Sequence, residues 1–125
     1  VKARRSNFEF YQKALKDIPG IEFMPEASYG ISNRWLTCLT IDPELFGASS
    51  EQVRLALKEE QVESRRVWKP LHMQPLFSDF ETIGGEVAEK LFYAGLCIPS
   101  GSNLRQQDLH RVVDIIQKVY KSEHQ

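Results

Sequence analysis

The sequence predicts a single α/β (α+β) domain in which a small mixed or antiparallel sheet is covered by helices. The 125 residues suffice for one domain. A composition of 42% apolar and 26% charged residues is typical of a globular chain rather than a disordered one. Segments with helical apolar spacing alternate with short apolar runs, in the order helix, strand, strand, helix, strand, helix, strand, helix.

Residues 3–18 are predicted to form the first helix, which ends at Pro19-Gly20. Its apolar residues recur at steps of three and four and so share one face; they are Phe8, Tyr11, Leu15 and Ile18. Residues 21–24 are a short strand candidate before a proline. Residues 34–42 read as the second strand, because apolar residues of one parity alternate along it.

Ser49 opens the next helix, since Gln52 three residues later completes a capping box. Residues 62–68 are the third strand candidate, and residues 69–82 form a loop with two prolines. Residues 83–94 are predicted to be helical, with an apolar face of Val87, Ala88, Leu91 and Phe92.

Residues 96–98 are predicted to be a short buried strand after Gly95, the glycine expected to end the preceding helix. Ser102 or Asn103 is the expected cap of the last helix. The amphipathic stripe of that helix consists of Leu109, Val112, Val113, Ile116, Val119 and Tyr120.

Charge and hydropathy exclude several classes of partner. A net charge of −1 gives no bulk attraction to nucleic acid or to an anionic membrane. No apolar run reaches the roughly 20 residues that span a bilayer.

Cys38 and Cys97 each lie in an apolar run, which favours buried free thiols in a reducing compartment over a redox pair. A cytoplasmic location is therefore expected.

The stretch 63–75 carries the most chemistry. It combines cations, an imidazole, an amide and an indole at a strand end and in the following loop, where side chains point into clefts. These residues are Arg65, Arg66, Trp68, Lys69, His72 and Gln74. Arginine forks onto phosphate or carboxylate oxygens, and the indole stacks on rings. A polar anionic ligand such as a nucleotide sugar fits this set; a solvated basic edge with Trp68 in the core is the alternative.

A second candidate is the turn around Ser100 and Gly101, whose backbone N–H groups could face an anion or simply form a turn. No hydrolase, kinase or dinucleotide-binding motif is present in the sequence, and no zinc-ligand spacing. His110 and His124 are expected to be solvated.

The 63–77 stretch resembles the C-terminal signature of the DegT/DnrJ/StrS aminotransferases, pyridoxal-phosphate enzymes that act on nucleotide-linked keto-sugars. Its most specific part is the run Trp68-Lys69-Pro70-Leu71-His72-Met73-Gln74-Pro75. Less specific segments fit in the expected order, and these are Arg4-Arg5 with Tyr11 and Leu15, Trp35-Leu36-Thr37, and residues 95–104. Two departures are Arg66, where the family usually has proline, and Arg105, where a Ser or Thr cap is common.

The resemblance implies that residues 1–125 are the small C-terminal domain of a fold-type-I transaminase, without the large domain that holds pyridoxal 5'-phosphate. Alone, such a domain is expected to bind no cofactor or metal, to hold no catalytic residue and to be inactive. The intact enzyme would be a homodimer that transfers an amino group from glutamate to a nucleotide-linked keto-sugar for cell-surface polysaccharide or antibiotic sugar biosynthesis. The substrate-binding residues implied by motif position are Arg65, Trp68, Lys69, His72, Gln74, Ser100 and Gly101.

Within this set Arg65 and His72 are the expected direct contacts, although the sequence leaves open whether Arg65 or Arg66 faces the cleft. Two other functions stay open. One is a stand-alone nucleotide- or peptide-binding module without catalysis, for which RNA is disfavoured by the neutral charge. The other is a dimerisation or regulatory domain in which the 63–75 stretch is purely structural.

Overall fold

The computed structural model describes residues 1–124. They contain five α-helices and four short strands, joined by turns and loops. The helices are α1 (Lys2–Leu15), α2 (Pro43–Phe46), α3 (Ser50–Glu59), α4 (Glu86–Ala94) and α5 (Gln106–Ser122). The strands are β1 (Ile21–Phe23), β2 (Thr37–Ile41), β3 (Arg65–Arg66) and β4 (Gly95–Ile98). Two 3₁₀ turns, Leu71–Met73 and Pro75–Phe77, lie between β3 and α4. The predicted order is confirmed, and α2 is added to it.

The strands form one sheet in the order β1-β2-β4-β3, with every neighbouring pair antiparallel. β4 is the last strand along the chain but lies inside the sheet. Its residue Cys97 faces Cys38 of β2 on one side and Arg65 of β3 on the other. The predicted fold class is thus confirmed in its antiparallel form.

The hydrophobic core lies on one face of this sheet. In β2, Thr37, Leu39 and Ile41 are buried, whereas Cys38 and Thr40 between them are only half-buried, because successive side chains point to opposite faces. Helices α1, α2, α3 and α5 and strand β4 contribute the rest of the core. Its fully buried members from helices and β4 are Tyr11, Leu15, Phe46, Val53, Leu57, Leu96, Leu109 and Ile116.

The opposite face of the sheet, called here the open face, carries Cys38, Thr40 and Cys97 and is covered only in part by α4. None of the residues of α4 is buried. Val87 is 74% exposed and Leu91 is 49% exposed, so the apolar face predicted for this helix lies uncovered. Exposed apolar side chains continue into the connection before α4, and these are Leu71, Leu76, Phe80 and Ile83. The open face therefore presents a large apolar surface.

Two elements begin later than the sequence predicts. β2 begins at Thr37 rather than residue 34, because Arg34 has a φ of 48° and its guanidinium donates to the Met24 carbonyl at 2.8 Å. α4 begins at Glu86 rather than residue 83, because the two glycines before it, residues 84 and 85, have φ values of 71° and 112°. Positive φ is incompatible with a right-handed helix.

β3 is much shorter than the predicted strand 62–68. Only Arg65 and Arg66 pair, because β4 begins at Gly95 directly after α4 and offers no further partner beyond that point. The edge strand is consequently short, and the residues around it belong to irregular backbone.

The cap predicted for α5 is wrong. Neither Ser102 nor Asn103 caps it; instead Arg105, the residue before the helix, donates its backbone N–H to Asp108 Oδ2 at 2.9 Å. α5 is the longest helix, yet within residues 1–124 no helix combines the length and apolar composition that crossing a bilayer requires.

One ion pair fastens the β1–β2 loop to α1. Arg5 Nη1 lies 2.7 Å from Glu26 Oε1, and the backbone N–H of Ser32 donates to the same oxygen at 2.7 Å. The hydrogen bonds from Arg5 and Ser32 lower the pKa of Glu26 from its ordinary 4.5 to about 2, and the bond from Arg5 has the larger effect. A carboxyl with a lowered pKa stabilises the fold above its unfolded pKa, and this contribution is lost as the pH falls toward the folded value.

We expect Glu26→Gln to flatten the acid limb of the stability curve. The difference in unfolding free energy between wild type and variant should shrink as the pH falls from about 4.5 to about 2. Urea titrations across this range measure it. Glu59→Gln, which removes an exposed carboxylate at the end of α3, should keep the wild-type acid limb. Identical acid limbs for wild type and Glu26→Gln would contradict the assignment.

Candidate functional site

A groove of about 810 Å³ runs along the β3 edge of the sheet, between the end of β4 and the start of α5. Four of the seven predicted site residues line it: Arg65, Trp68, Ser100 and Gly101. The chain reaches the groove at distant points in sequence, namely the end of β3 and the turn after β4. The fold therefore brings the two candidate segments of the sequence to one place.

Arg65 and Arg66 both line the groove but differ in freedom. The guanidinium of Arg66 lies 3.2 Å from Glu51 Oε2 and 5.4 Å above the Phe92 ring, so it is engaged with α3 and α4. Arg65 Nε donates to Glu63 Oε1 at 2.8 Å, and its side chain is 79% exposed. An exposed ion pair contributes little free energy. Arg65 can therefore exchange Glu63 for an anionic ligand.

Trp35 and Trp68 lie side by side at the groove, with ring centroids 6.2 Å apart and planes inclined by 44°. They are 59% and 65% exposed. Trp68 is thus no core residue, and the alternative in which it packs inside is wrong. The two exposed indoles and Arg65 line the same groove and so offer aromatic faces and a cation, which suits a planar ring that carries phosphate.

Ser100 shapes the groove rather than offering a free donor. It is 5% exposed, and its hydroxyl donates to the Trp35 carbonyl at 2.9 Å. The carbonyl of Gly101 accepts from Asn7 Nδ2 at 3.0 Å. The turn after β4 is therefore held against the chain before β2 on one side and α1 on the other.

Arg4 and Asn7 are groove-building residues that sequence reasoning missed as a pair. Arg4 donates to the Trp35 carbonyl and to Ser100 Oγ, the latter at 3.3 Å. The two side chains share one face of α1 because they are one turn apart. The available signal was the position of Asn7 four residues before Tyr11, on the apolar face of the predicted helix, since a polar side chain there needs a partner.

Lys69, His72 and Gln74 do not line the groove. His72 Nε2 lies 2.7 Å from Glu89 Oε1, and its ring packs against Gly85 at the start of α4. Gln74 Nε2 donates to the Lys69 carbonyl at 3.3 Å, while the Lys69 side chain is exposed. The His72 contact ties the first 3₁₀ turn to α4, whereas the Gln74 bond lies within the connection. The three residues thus form a second group along the connection after β3.

Replacing His72 with alanine is expected to loosen that connection. Loss of the contact with Glu89 removes this tie between the connection and α4, so amides of residues 71–77 should exchange with deuterium faster. Hydrogen-exchange mass spectrometry measures this. Leu76→Ala is the control, because that side chain is 78% exposed. Unchanged protection in His72→Ala would show that the histidine does not hold the connection.

The groove is electropositive. Its charged lining consists of Arg4, Arg65, Arg66, Arg111, Glu63 and Asp108. The hydrogen bond from the Arg105 side chain lowers the pKa of Asp108, which is engaged in the α5 cap. Among residues 1–124 no three His, Cys, Asp or Glu side chains are grouped as a metal site would require. The lining suits an anionic ligand with a planar part.

Residues 1–117 match the model of the DegT/DnrJ/EryC1/StrS aminotransferase family. The chain is also 44% identical over 122 residues to the Bacillus subtilis (strain 168) protein named "Putative pyridoxal phosphate-dependent aminotransferase EpsN". That alignment covers 93% of this chain and 30% of EpsN.

Solved structures share the fold. The aminotransferase TlmJ from Streptoalloteichus hindustanus superposes with a TM-score of 0.85 at 18% identity, covering 100% of this chain and 33% of TlmJ. DesI, whose structure was determined in the presence of its TDP-sugar product, superposes with a TM-score of 0.88 at 23% identity. That match covers 98% of this chain and 32% of DesI. Helicobacter pylori PseC, an aminotransferase involved in pseudoaminic acid biosynthesis, superposes with a TM-score of 0.83 at 18% identity. That match covers 97% of this chain and 33% of PseC. The chain thus spans about a third of the length of these relatives. Because the family model matches nearly the whole chain, the protein belongs to the DegT/DnrJ/EryC1/StrS aminotransferase family.

Proposed function

We propose that residues 1–125 are the C-terminal domain of a pyridoxal-phosphate-dependent aminotransferase that moves an amino group from glutamate to a nucleotide-linked keto-sugar. The observation that carries this proposal is the electropositive groove, in which Arg65 lies beside the exposed indoles of Trp35 and Trp68. The family assignment supports the reaction class. The TDP-sugar product bound by DesI supports the substrate class.

The surroundings of the lysines favour a cofactor site outside this domain. All eight lysines are exposed, and none lines the groove. A lysine that binds a carbonyl cofactor covalently needs a pocket that lowers its pKa by desolvation or by a neighbouring cation. In this proposal the cofactor and its lysine belong to another part of the intact protein, and this domain would be inactive by itself.

The exposed apolar side chains of α4 and of the connection before it support the proposal that a large domain docks on them. Val87 and Leu91 on α4 and the apolar residues of the connection before it are exposed in this chain. Burying such a surface against a second domain would be favourable at about 25 cal/mol per Å². A cytoplasmic homodimer that serves polysaccharide or antibiotic sugar biosynthesis completes the proposal.

In this proposal the residues of the domain bind and orient the substrate. Arg65 holds the phosphates through its planar fork, and Trp68 with Trp35 covers the base or the sugar ring. Ser100 and Gly101 fix the floor of the groove. Lys69 adds a second cation next to Trp68, and the contacts of His72 and Gln74 hold the connection that carries both.

The test uses the complete gene product loaded with pyridoxal 5'-phosphate. Incubation with glutamate and a panel of TDP- and UDP-linked keto-sugars should yield an aminated nucleotide sugar and an equal amount of 2-oxoglutarate, both measured by mass spectrometry. Transfer to simple 2-oxo acids alone would contradict the substrate class. A complete product that binds no cofactor would contradict the enzyme and favour the stand-alone nucleotide- or peptide-binding module.

A further inference from the structure

Two thiols face each other across the middle of the sheet. Cys38 in β2 and Cys97 in β4 are register partners, both are free, and their Sγ atoms lie 3.5 Å apart. The Cys38 carbonyl accepts a hydrogen bond from the Met24 N–H at 3.1 Å, so the backbone polar groups of Cys38 point toward β1. The pair with Cys97 is therefore of the non-hydrogen-bonded kind, in which facing side chains approach most closely.

This geometry suits a disulfide. Non-hydrogen-bonded antiparallel partners have Cα atoms about 4.5 Å apart, within the range of roughly 4.4–6.8 Å that a disulfide spans. The two sulfurs can meet by side-chain rotation while the strands keep their register. A tetrahedral metal ion fits less well, because no third His, Cys, Asp or Glu joins the pair among residues 1–124.

The two thiols differ in access and acidity. Cys38 is half-buried and lines an apolar groove of about 470 Å³ beside α4, whereas Cys97 is 8% exposed. The hydrogen bond from the Cys97 thiol lowers the pKa of Cys38 to about 7. The same bond, together with burial, raises the pKa of Cys97. Cys38 is consequently the thiol that ionises and attacks first.

We propose that Cys38 and Cys97 form a dithiol site that reacts with low-molecular-weight disulfides and closes into a cross-strand disulfide between β2 and β4. The Cys38 thiolate attacks one sulfur of the reagent and forms a mixed disulfide, and the first reagent thiolate leaves and takes up a proton. Cys97 then gives its proton to solvent, attacks the Cys38 sulfur and expels the second reagent thiolate. The protein loses two electrons and two protons, and the reagent becomes two thiols.

The test treats the reduced complete gene product with oxidised glutathione and follows intact mass and proteolytic peptides. The expected result is a product lighter by two hydrogens, without bound glutathione, in which the peptide of Cys38 is joined to that of Cys97 until dithiothreitol separates them. Cys97→Ser should instead keep one glutathione on Cys38. In Cys38→Ser the buried Cys97 should stay unmodified over the same time. None of these readouts depends on aminotransferase activity, so the proposed function can fail independently.

Two results would overturn the site. One is a wild-type protein that keeps both thiols free after prolonged treatment. The other is a wild-type protein that accumulates a glutathione adduct but no joined peptide, since this would mean that Cys97 cannot reach the Cys38 sulfur. Both are read on the wild type, so the conclusion holds even if a serine variant folds poorly.

Discussion

Replacing Gly95 with alanine is expected to destabilise the protein by about 3 kcal/mol, which is about a hundredfold in the folding equilibrium. Gly95 joins α4 to β4 with an ordinary φ of −84°, so conformational freedom is not the reason. A Cβ there would collide with the Leu91 carbonyl oxygen and would lie 2.7 and 2.8 Å from the two methyls of Val67. That carbonyl is held by the N–H of Gly95 itself and cannot move away without breaking the helix end.

The measurement is the unfolding free energy from urea titration, with Gly30→Ala as the matched control. A Cβ at Gly30 would meet no atom within 4 Å, and the φ of this residue is not positive. Its replacement should change stability by no more than about 0.5 kcal/mol. Equal effects of the two substitutions would contradict the close approach of α4, β4 and the chain after β3 at this point.

Replacing Arg65 with methionine in the complete gene product should raise KM for the nucleotide sugar by about thirtyfold while cofactor absorbance is kept. A hydrogen bond to a charged group contributes about 1.5–3 kcal/mol, and about 2 kcal/mol corresponds to about thirtyfold. In the proposed function the phosphates lie away from the reacting carbon, so binding is lost equally in ground and transition states and kcat should change less. Steady-state kinetics with varied nucleotide sugar measure both constants.

Lys13→Met is the control for Arg65→Met, because it removes one positive charge from an exposed position on α1 that does not line the groove. It should leave KM unchanged. Arg65→Lys should fall between wild type and Arg65→Met, since lysine keeps the charge but not the fork. An unchanged KM in Arg65→Met would show that Arg65 does not bind the substrate, even if other residues of the groove do.

Local patterns predicted the elements well. The Ser49–Gln52 capping box forms as expected, with the Ser49 N–H donating to Gln52 Oε1 at 2.8 Å. The stripe of Phe8, Tyr11 and Leu15 is buried. Such features depend on residues three or four apart, so they can be predicted from a short stretch of sequence. The candidate stretch was equally visible, because Arg65 and Trp68 are neighbours in the chain and in the groove.

Long-range contacts were not predictable from one sequence. The insertion of β4 between β2 and β3 places Cys97 opposite Cys38, which turns two thiols that read as inert into a facing pair. The tie from Arg4 to Ser100 spans most of the chain and has no local signal. The cap of α5 was missed for a different reason: Asp108 bonds the Arg105 backbone, whereas the expectation looked for a polar side chain before the helix.

The central position of β4 also determines when the sheet can form during protein synthesis. β2 and β3 have no contact with each other in the sheet until residues 95–98 join them. α5, which packs against α1 and α3, leaves the ribosome later still. The growing chain must therefore carry the apolar sides of α1, β2 and α3 uncovered until residues 95–122 have been made. Completion of the sheet thus depends on contacts between segments distant in sequence, and such contacts slow folding and leave apolar surface exposed meanwhile.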